Sequence, residues 1–96
     1  MIIAVFSRIL RPGVEVAELV DAWRPDGDEQ YPAGVEVGVD PADDRRVVTI
    51  IRFDGDMSQF SQAMPRLVHP DSLQRLESLV ESTELQAVYE TVDIQL

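Results

Sequence analysis

The chain has no cysteine, no lysine and no asparagine among its 96 residues. The first absence excludes disulfides, thiolate metal sites, CxxC redox chemistry and cysteine nucleophiles. The second excludes Schiff-base lysines, and the third any mechanism that needs an asparagine side chain. Positive charge is scarce as well. Eight basic residues, all arginine, stand against 18 acids, for a formal net charge of −10. That balance argues against nucleic acid and against an anionic membrane as partners. An all-arginine basic set fits the coding bias of a GC-rich bacterial genome. No apolar run approaches the roughly 18–20 residues that span a bilayer. The apolar start is interrupted by Arg8 and has no basic segment before it, unlike a signal peptide. The expectation is a soluble, cytoplasmic chain. One histidine, His69, and scattered carboxylates give no metal-ligand pattern, so no metal and no cofactor are expected. Glycine-rich phosphate loops and nucleophile-elbow serines are also lacking.

What is present is an ordinary globular mixture, 45% hydrophobic and 27% charged. The length fits one domain over residues 1–96, with a modest core. Residues 2–10 (IIAVFSRIL) are β-branched and aromatic and stop at Pro12-Gly13, the signature of a strand. Val16, Leu19, Val20 and Trp23 recur at helical spacing, with Glu15 and Glu18 at the N-terminal end and Pro25 as a stop. Asp26-Gly27-Asp28 reads as a polar loop. Val35, Val37 and Val39 alternate with polar residues as a second strand. Asp40–Asp44 is a short hairpin connection, and Arg45–Phe53 a third strand. Asp40, Asp43 and Asp44 lack the twelve-residue calcium-loop pattern and read as a solvated hairpin tip.

Asp56 with Gln59 three residues later resembles a capping box. Met57, Phe60, Met64, Leu67 and Val68 form a helical stripe that Pro65 should kink or break. Pro70 suits the first turn of a further helix, with Leu73, Leu76, Leu79 and Val80 inward. The last strand is expected at Leu85–Ile94. The order β-α-β-β-α-β with right-handed crossovers gives an α+β, ferredoxin-like plait: a four-stranded antiparallel sheet with its helices on one face.

Such a sheet would show polar residues on its second face if that face met water. Strands one and three are apolar on both faces. The economical cover is a second copy of the same sheet, so a homodimer is expected. The phasing adopted puts Phe6, Arg8, Val48, Ile50, Arg52 and Tyr89 away from the helices. Arg8 and Arg52 then stand out among apolar neighbours, because a buried guanidinium needs a partner. Arg8, Arg52 and Tyr89 are the candidate binding residues for an anionic small molecule; the competing reading is an ion pair with an acid such as Glu36 or Glu90. No catalytic residue is singled out. Trp23 completes a helical stripe and reads as core. His69, before Pro70, reads as a helix cap facing solvent.

The chain resembles the dimeric α/β-barrel superfamily, in particular its antibiotic-biosynthesis-monooxygenase-like group. The resemblance rests on a strand leading into Arg11-Pro12-Gly13, a helix bearing Trp23 near its end, and Gly34 at the second strand. A third strand running into Phe53-Asp54, then His69-Pro-Asp-Ser-Leu before a Leu-rich helix, complete it. Members often carry Trp-Glu where this chain has Phe53-Asp54. Arg8, Arg52 and Tyr89 among inward apolar positions motivate the first hypothesis, a cofactor-independent oxygenase or isomerase acting on a small apolar, partly anionic or phenolic substrate. The alternative is a non-catalytic dimeric ligand-binding or accessory module, favoured by the lack of a convincing general base. Haem-degrading relatives pair a helix histidine with a strand asparagine and a strand tryptophan. This chain has no asparagine, and its tryptophan is on the first helix, so haem degradation is not expected.

Overall fold

The computed structural model describes residues 1–24 and 31–95. The expected loop at Asp26-Gly27-Asp28 and the stop at Pro25 lie outside them. The elements are β1 (Ile2–Leu10), α1 (Val16–Trp23), β2 (Gly34–Asp40), β3 (Asp43–Phe53), α2 (Met57–Leu67), α3 (Pro70–Glu77) and β4 (Val80–Glu90). The strands form one antiparallel sheet in the order β2-β3-β1-β4, with β1 and β3 at its centre. This is the ferredoxin-like plait, built as a slab 40 × 38 × 19 Å. The short dimension has room for one sheet and one helical layer, packed about 10 Å apart.

Local chemistry places the turns. Val14 donates back to the Arg11 carbonyl at 3.1 Å, around Pro12 and a Gly13 with φ of +84°. That is a type II turn, which needs the left-handed residue at its third position. The Asp56 side chain accepts from the Gln59 N–H at 2.8 Å, and the Gln59 side chain accepts from the Asp56 N–H at 3.0 Å. The capping box therefore starts α2 as its sequence implies. Pro65 does not break that helix. It lies in the last turn, where its missing N–H removes a single bond, and Val68 still donates to Met64 at 2.9 Å. The chain breaks instead between Leu67 and Pro70, where His69 caps α3.

Two further expectations need correcting. β4 begins five residues before Leu85 and ends at Glu90, because it pairs along the full length of β1, from Leu10 opposite Val80 to Ile2 opposite Glu90. Val92 and Ile94 lie beyond it, 78% and 68% exposed. Leu73 is 43% exposed rather than inward; Leu76 carries the buried face of α3.

Side chains alternate strictly along β1: Ile2, Ala4, Phe6, Arg8 and Leu10 are buried, while Ile3, Val5, Ser7 and Ile9 are half-buried. All helices pack on the first set. Ile2, Ala4, Phe6 and Ile51 form one cluster with Phe60 and Leu67 of α2. Leu10 and Val47 form another with Leu19 and Ala22 of α1 and Leu76 of α3. Arg8 falls between the two clusters. The opposite face carries Ile3, Val5, Ile9, Val48 and Ile50, and no helix among the described residues covers it.

Candidate functional site

The helix-side face holds a cavity of about 190 Å³ between β1, β2, β3 and α1. Arg8 and Thr49 contribute from adjacent central strands, Val35 and Val37 from β2, and Leu19, Val20 and Trp23 from α1. Tyr31, at the approach to β2, and Arg24 complete the lining. The lining is apolar apart from Arg8, Arg24, Thr49, the Tyr31 hydroxyl and the Trp23 indole N–H. The volume is slightly above the roughly 150 Å³ apolar cavity that takes up benzene, so a small ring system fits.

Arg8 is the unusual member. It is only 7% exposed, and among the described residues its guanidinium makes no ion pair and no hydrogen bond. It stacks instead on the Phe6 ring, 4.6 Å from the centroid, with the Trp23 ring at 5.7 Å. Cation–π attraction is worth roughly 0.5–2 kcal/mol, well short of what full desolvation of an unpaired charge costs. Burial accordingly pushes the Arg8 pKa down. A second cavity of about 270 Å³, between the sheet and α2 and α3, shares Arg8 and Trp23 with the first. The guanidinium thus stands at a junction of open spaces.

Three other polar groups surround it. The Thr49 residue is 4% exposed and its hydroxyl has no hydrogen bond among the described residues. The Trp23 indole N–H is fully buried and reaches no acceptor in hydrogen-bonding geometry. Tyr31 donates its hydroxyl proton to the Leu67 carbonyl at the end of α2. Burial raises the Tyr31 pKa to about 12, and the nearby Trp23 side chain offsets part of that rise. The indole is close enough to favour the phenolate yet not aligned to bond it. None of these side chains is a base at neutral pH. The arrangement can hold and stabilise an oxyanion; among the described residues it contains no group to remove a proton.

The phasing expected for β1 is reversed. Arg8 and Phe6 face the helices, whereas Arg52 and Tyr89 lie on the other side of the sheet. Arg52 pairs with Glu36 at 2.9 Å, and Tyr89 is 51% exposed. The structure therefore does not bring Arg8, Arg52 and Tyr89 into one pocket within a chain. The penalty for a charge on the helix face is offset only in part, by stacking on two rings beside a cavity. His69 lines neither cavity; its Nδ1 accepts from the Asp71 N–H at 3.2 Å as the cap of α3. The sequence reading missed Tyr31 and Thr49. Thr49 had a signal, as the lone hydroxyl within the run Val47–Ile51. Tyr31 had none.

The class defined by this architecture is the ferredoxin-like α+β fold, and solved structures of that fold resemble the chain over nearly its whole length. One is a provisionally assigned antibiotic biosynthesis monooxygenase from Chloroflexus aurantiacus, 14% identical, covering 98% of this chain and 95% of its own, with a TM-score of 0.67. Another is an uncharacterised NIPSNAP domain protein from Burkholderia xenovorans, 15% identical, covering 100% and 99%, with a TM-score of 0.64. A third is a dimeric ferredoxin-like protein of unknown function from Bacteroides fragilis, 19% identical, covering 94% and 95%, with a TM-score of 0.55. No family model and no curated protein matches the sequence. The ferredoxin-like fold expected from the residues is thus found, shared with structures that include a provisionally assigned monooxygenase and a dimeric protein.

Proposed function

We propose that the chain binds a small, apolar molecule carrying one acidic oxygen in the Arg8–Trp23–Tyr31 cavity, and acts on it as a cofactor-independent oxygenase. The observation that carries this reading is the buried Arg8 guanidinium, unpaired among the described residues, at an apolar cavity. A phenolate or enolate oxygen would complete its hydrogen bonding and be held ionised by it. The substrate's own electron-rich carbon then reacts with dioxygen, while the protein supplies a dry cavity and a fixed charge. The likeness in fold to a provisionally assigned monooxygenase supports the oxygenase part.

The lack, among the described residues of the cavity, of a side chain able to act as a general base favours a second reading, a binding module without turnover. One pair of measurements separates them. Trp23 is the sole tryptophan and lines the cavity, so its fluorescence reports occupancy. Titration with hydroxylated aromatic probes should quench it in the wild type, at least tenfold more weakly in Arg8→Met. Dioxygen consumption by the bound probe supports the oxygenase; saturable binding without consumption across the probe set leaves the binding module. No quenching by any acidic probe would sink both.

The same proposal includes a homodimer formed by the helix-free sheet face. The chain exposes 6537 Å², against roughly 5,500 Å² for a folded monomer of its mass. The excess is close to the roughly 800 Å² that each partner buries in a standard interface. The likeness to a dimeric protein of the same fold supports it too.

A further inference from the structure

The cavity of about 270 Å³ between the sheet and the helices α2 and α3 is long and carries its charge at one end. Along β1 it meets Ala4, Phe6 and Arg8. These are alternate residues on one face of a strand, which places about 13 Å between the two ends of the cavity. Ala4 lies opposite Ile51 and Val88 on the neighbouring strands, Phe6 opposite Gln86, and Arg8 opposite Thr83. Phe60, Met64 and Leu67 of α2 and Leu73 of α3 form the roof. Among the described residues Arg8 is the one charged side chain in this lining. Trp23 and Arg8 line this cavity and the smaller one alike, so they are the wall between them.

A guanidinium at the end of a long apolar space suits an anion with a long apolar tail. A carboxylate presents two oxygens that match the fork of guanidinium donors, where a phenolate presents one. Gln86 lines the cavity one row from Arg8 on the same face. Its amide has no partner among the described residues and is a further donor at the charged end. Size sets the length of the tail. Roughly 150 Å³ houses the six carbons of benzene, so about 270 Å³ has room for about ten heavy atoms, those of octanoate. Met64, Leu73 and Val88 are 38%, 43% and 45% exposed, so one long side of the cavity is open for a chain to enter. The flexible Met64 side chain can adapt to the chain as it settles.

We propose that this cavity binds a straight-chain carboxylate of about octanoate's length, its head on Arg8 and Gln86 and its tail running along β1 towards Ala4 and Val88. The site lies across Trp23 from the cavity assigned to an acidic aromatic. The two sites share one guanidinium, and one cation compensates one buried anion. Each ligand therefore excludes the other, and a chain carboxylate is an inhibitor of whatever the smaller cavity does. That exclusion rests on the aromatic reading; the chain site itself does not.

Titration calorimetry below micellar concentrations tests it. Wild type should bind octanoate at least tenfold more tightly than butanoate, whose tail leaves most of the cavity empty. It should prefer octanoate by a similar factor over octylammonium, whose charge is reversed, and Arg8→Met should erase that preference. Val88→Asp, at the tail end and at an exposed position, should weaken octanoate at least tenfold while hydroxylated aromatics quench Trp23 as in wild type. Leu73→Asp, on the opposite wall, should do the same and guards against a first variant that fails to fold. Octylammonium binding as tightly as octanoate, or octanoate affinity unchanged in both aspartate variants, would overturn the proposal. If hydroxylated aromatics bind and octanoate does not, the chain site fails while the aromatic reading stands. If octanoate binds and no aromatic does, the reverse holds. Saturating octanoate should also weaken aromatic binding at least tenfold, and simultaneous binding of both would overturn the shared guanidinium.

Discussion

At the scale of the residue, Arg8 decides most of what the chain can do. Its stability contribution follows from comparing two magnitudes. Stacking on Phe6 and Trp23 contributes about 0.5–2 kcal/mol. Desolvating an uncompensated charge costs several kcal/mol, more than that stacking returns. Arg8→Met keeps the aliphatic stem and removes the charge, so thermal unfolding should show a midpoint equal to or above wild type. Affinity for anionic probes should fall at the same time. A large loss of stability would mean that the guanidinium has a structural partner after all. Tyr31 gives a pH signature. Its folded pKa, about 12, lies above the ordinary value of 10.0, so the folded state holds the phenolic proton more tightly. That stability is complete below about pH 10 and is lost as pH rises towards 12. Denaturant midpoints measured from pH 9 to 12 should therefore decline in wild type and decline less in Tyr31→Phe. Tyr31→Phe itself should cost about 1 kcal/mol at neutral pH, the worth of the bond to Leu67.

At the scale of the element, the turns and caps were written plainly, and the strand faces were not. Asp56 and Gln59 bond reciprocally, as three-residue spacing dictates. Asp56→Ala should cost about 1 kcal/mol, measurable as a shift of the urea midpoint without a change in slope. Pro12-Gly13, Pro70 and His69 also did what their local chemistry requires, because such signals depend on a few neighbouring residues. The phase of β1 depends on the whole sheet. Ile3, Val5 and Ile9 are as apolar as Ile2, Ala4 and Phe6, so alternation alone left the buried face undecided. The charge of Arg8 then pointed the wrong way, since nothing local showed that two rings and a cavity would receive it. The limits of β4 were misread for a related reason. Val92 and Ile94 have strand-like residues and spacing, but the strand extends only where β1 lies beside it. The candidate site was legible only in its type, an arginine among apolar groups, because Tyr31 and Thr49 reach it through pairing partners distant in sequence.

At the scale of the molecule, one sheet serves two surfaces, and the substitution Ile50→Asp tells them apart. Ile50 is half-buried at the centre of the helix-free face, in the same row as Val5. In a lone copy an aspartate there would stand in water and cost little beyond a weaker strand preference. In a dimer it would place one unpaired carboxylate per copy in a dry interface, a loss of several kcal/mol. Arg8, Trp23 and Thr49 face the other way, separated from Ile50 by the thickness of the sheet. Wild type should therefore sediment near twice 10.8 kDa at micromolar concentration, and Ile50→Asp near that mass once. The monomeric variant should keep its far-ultraviolet circular dichroism and still show quenching of Trp23 by acidic aromatic probes. Loss of binding together with the dimer would show that the partner shapes the cavity through the sheet. A wild type that stays monomeric would remove the dimer and leave the cavity as the one surface with a function to explain.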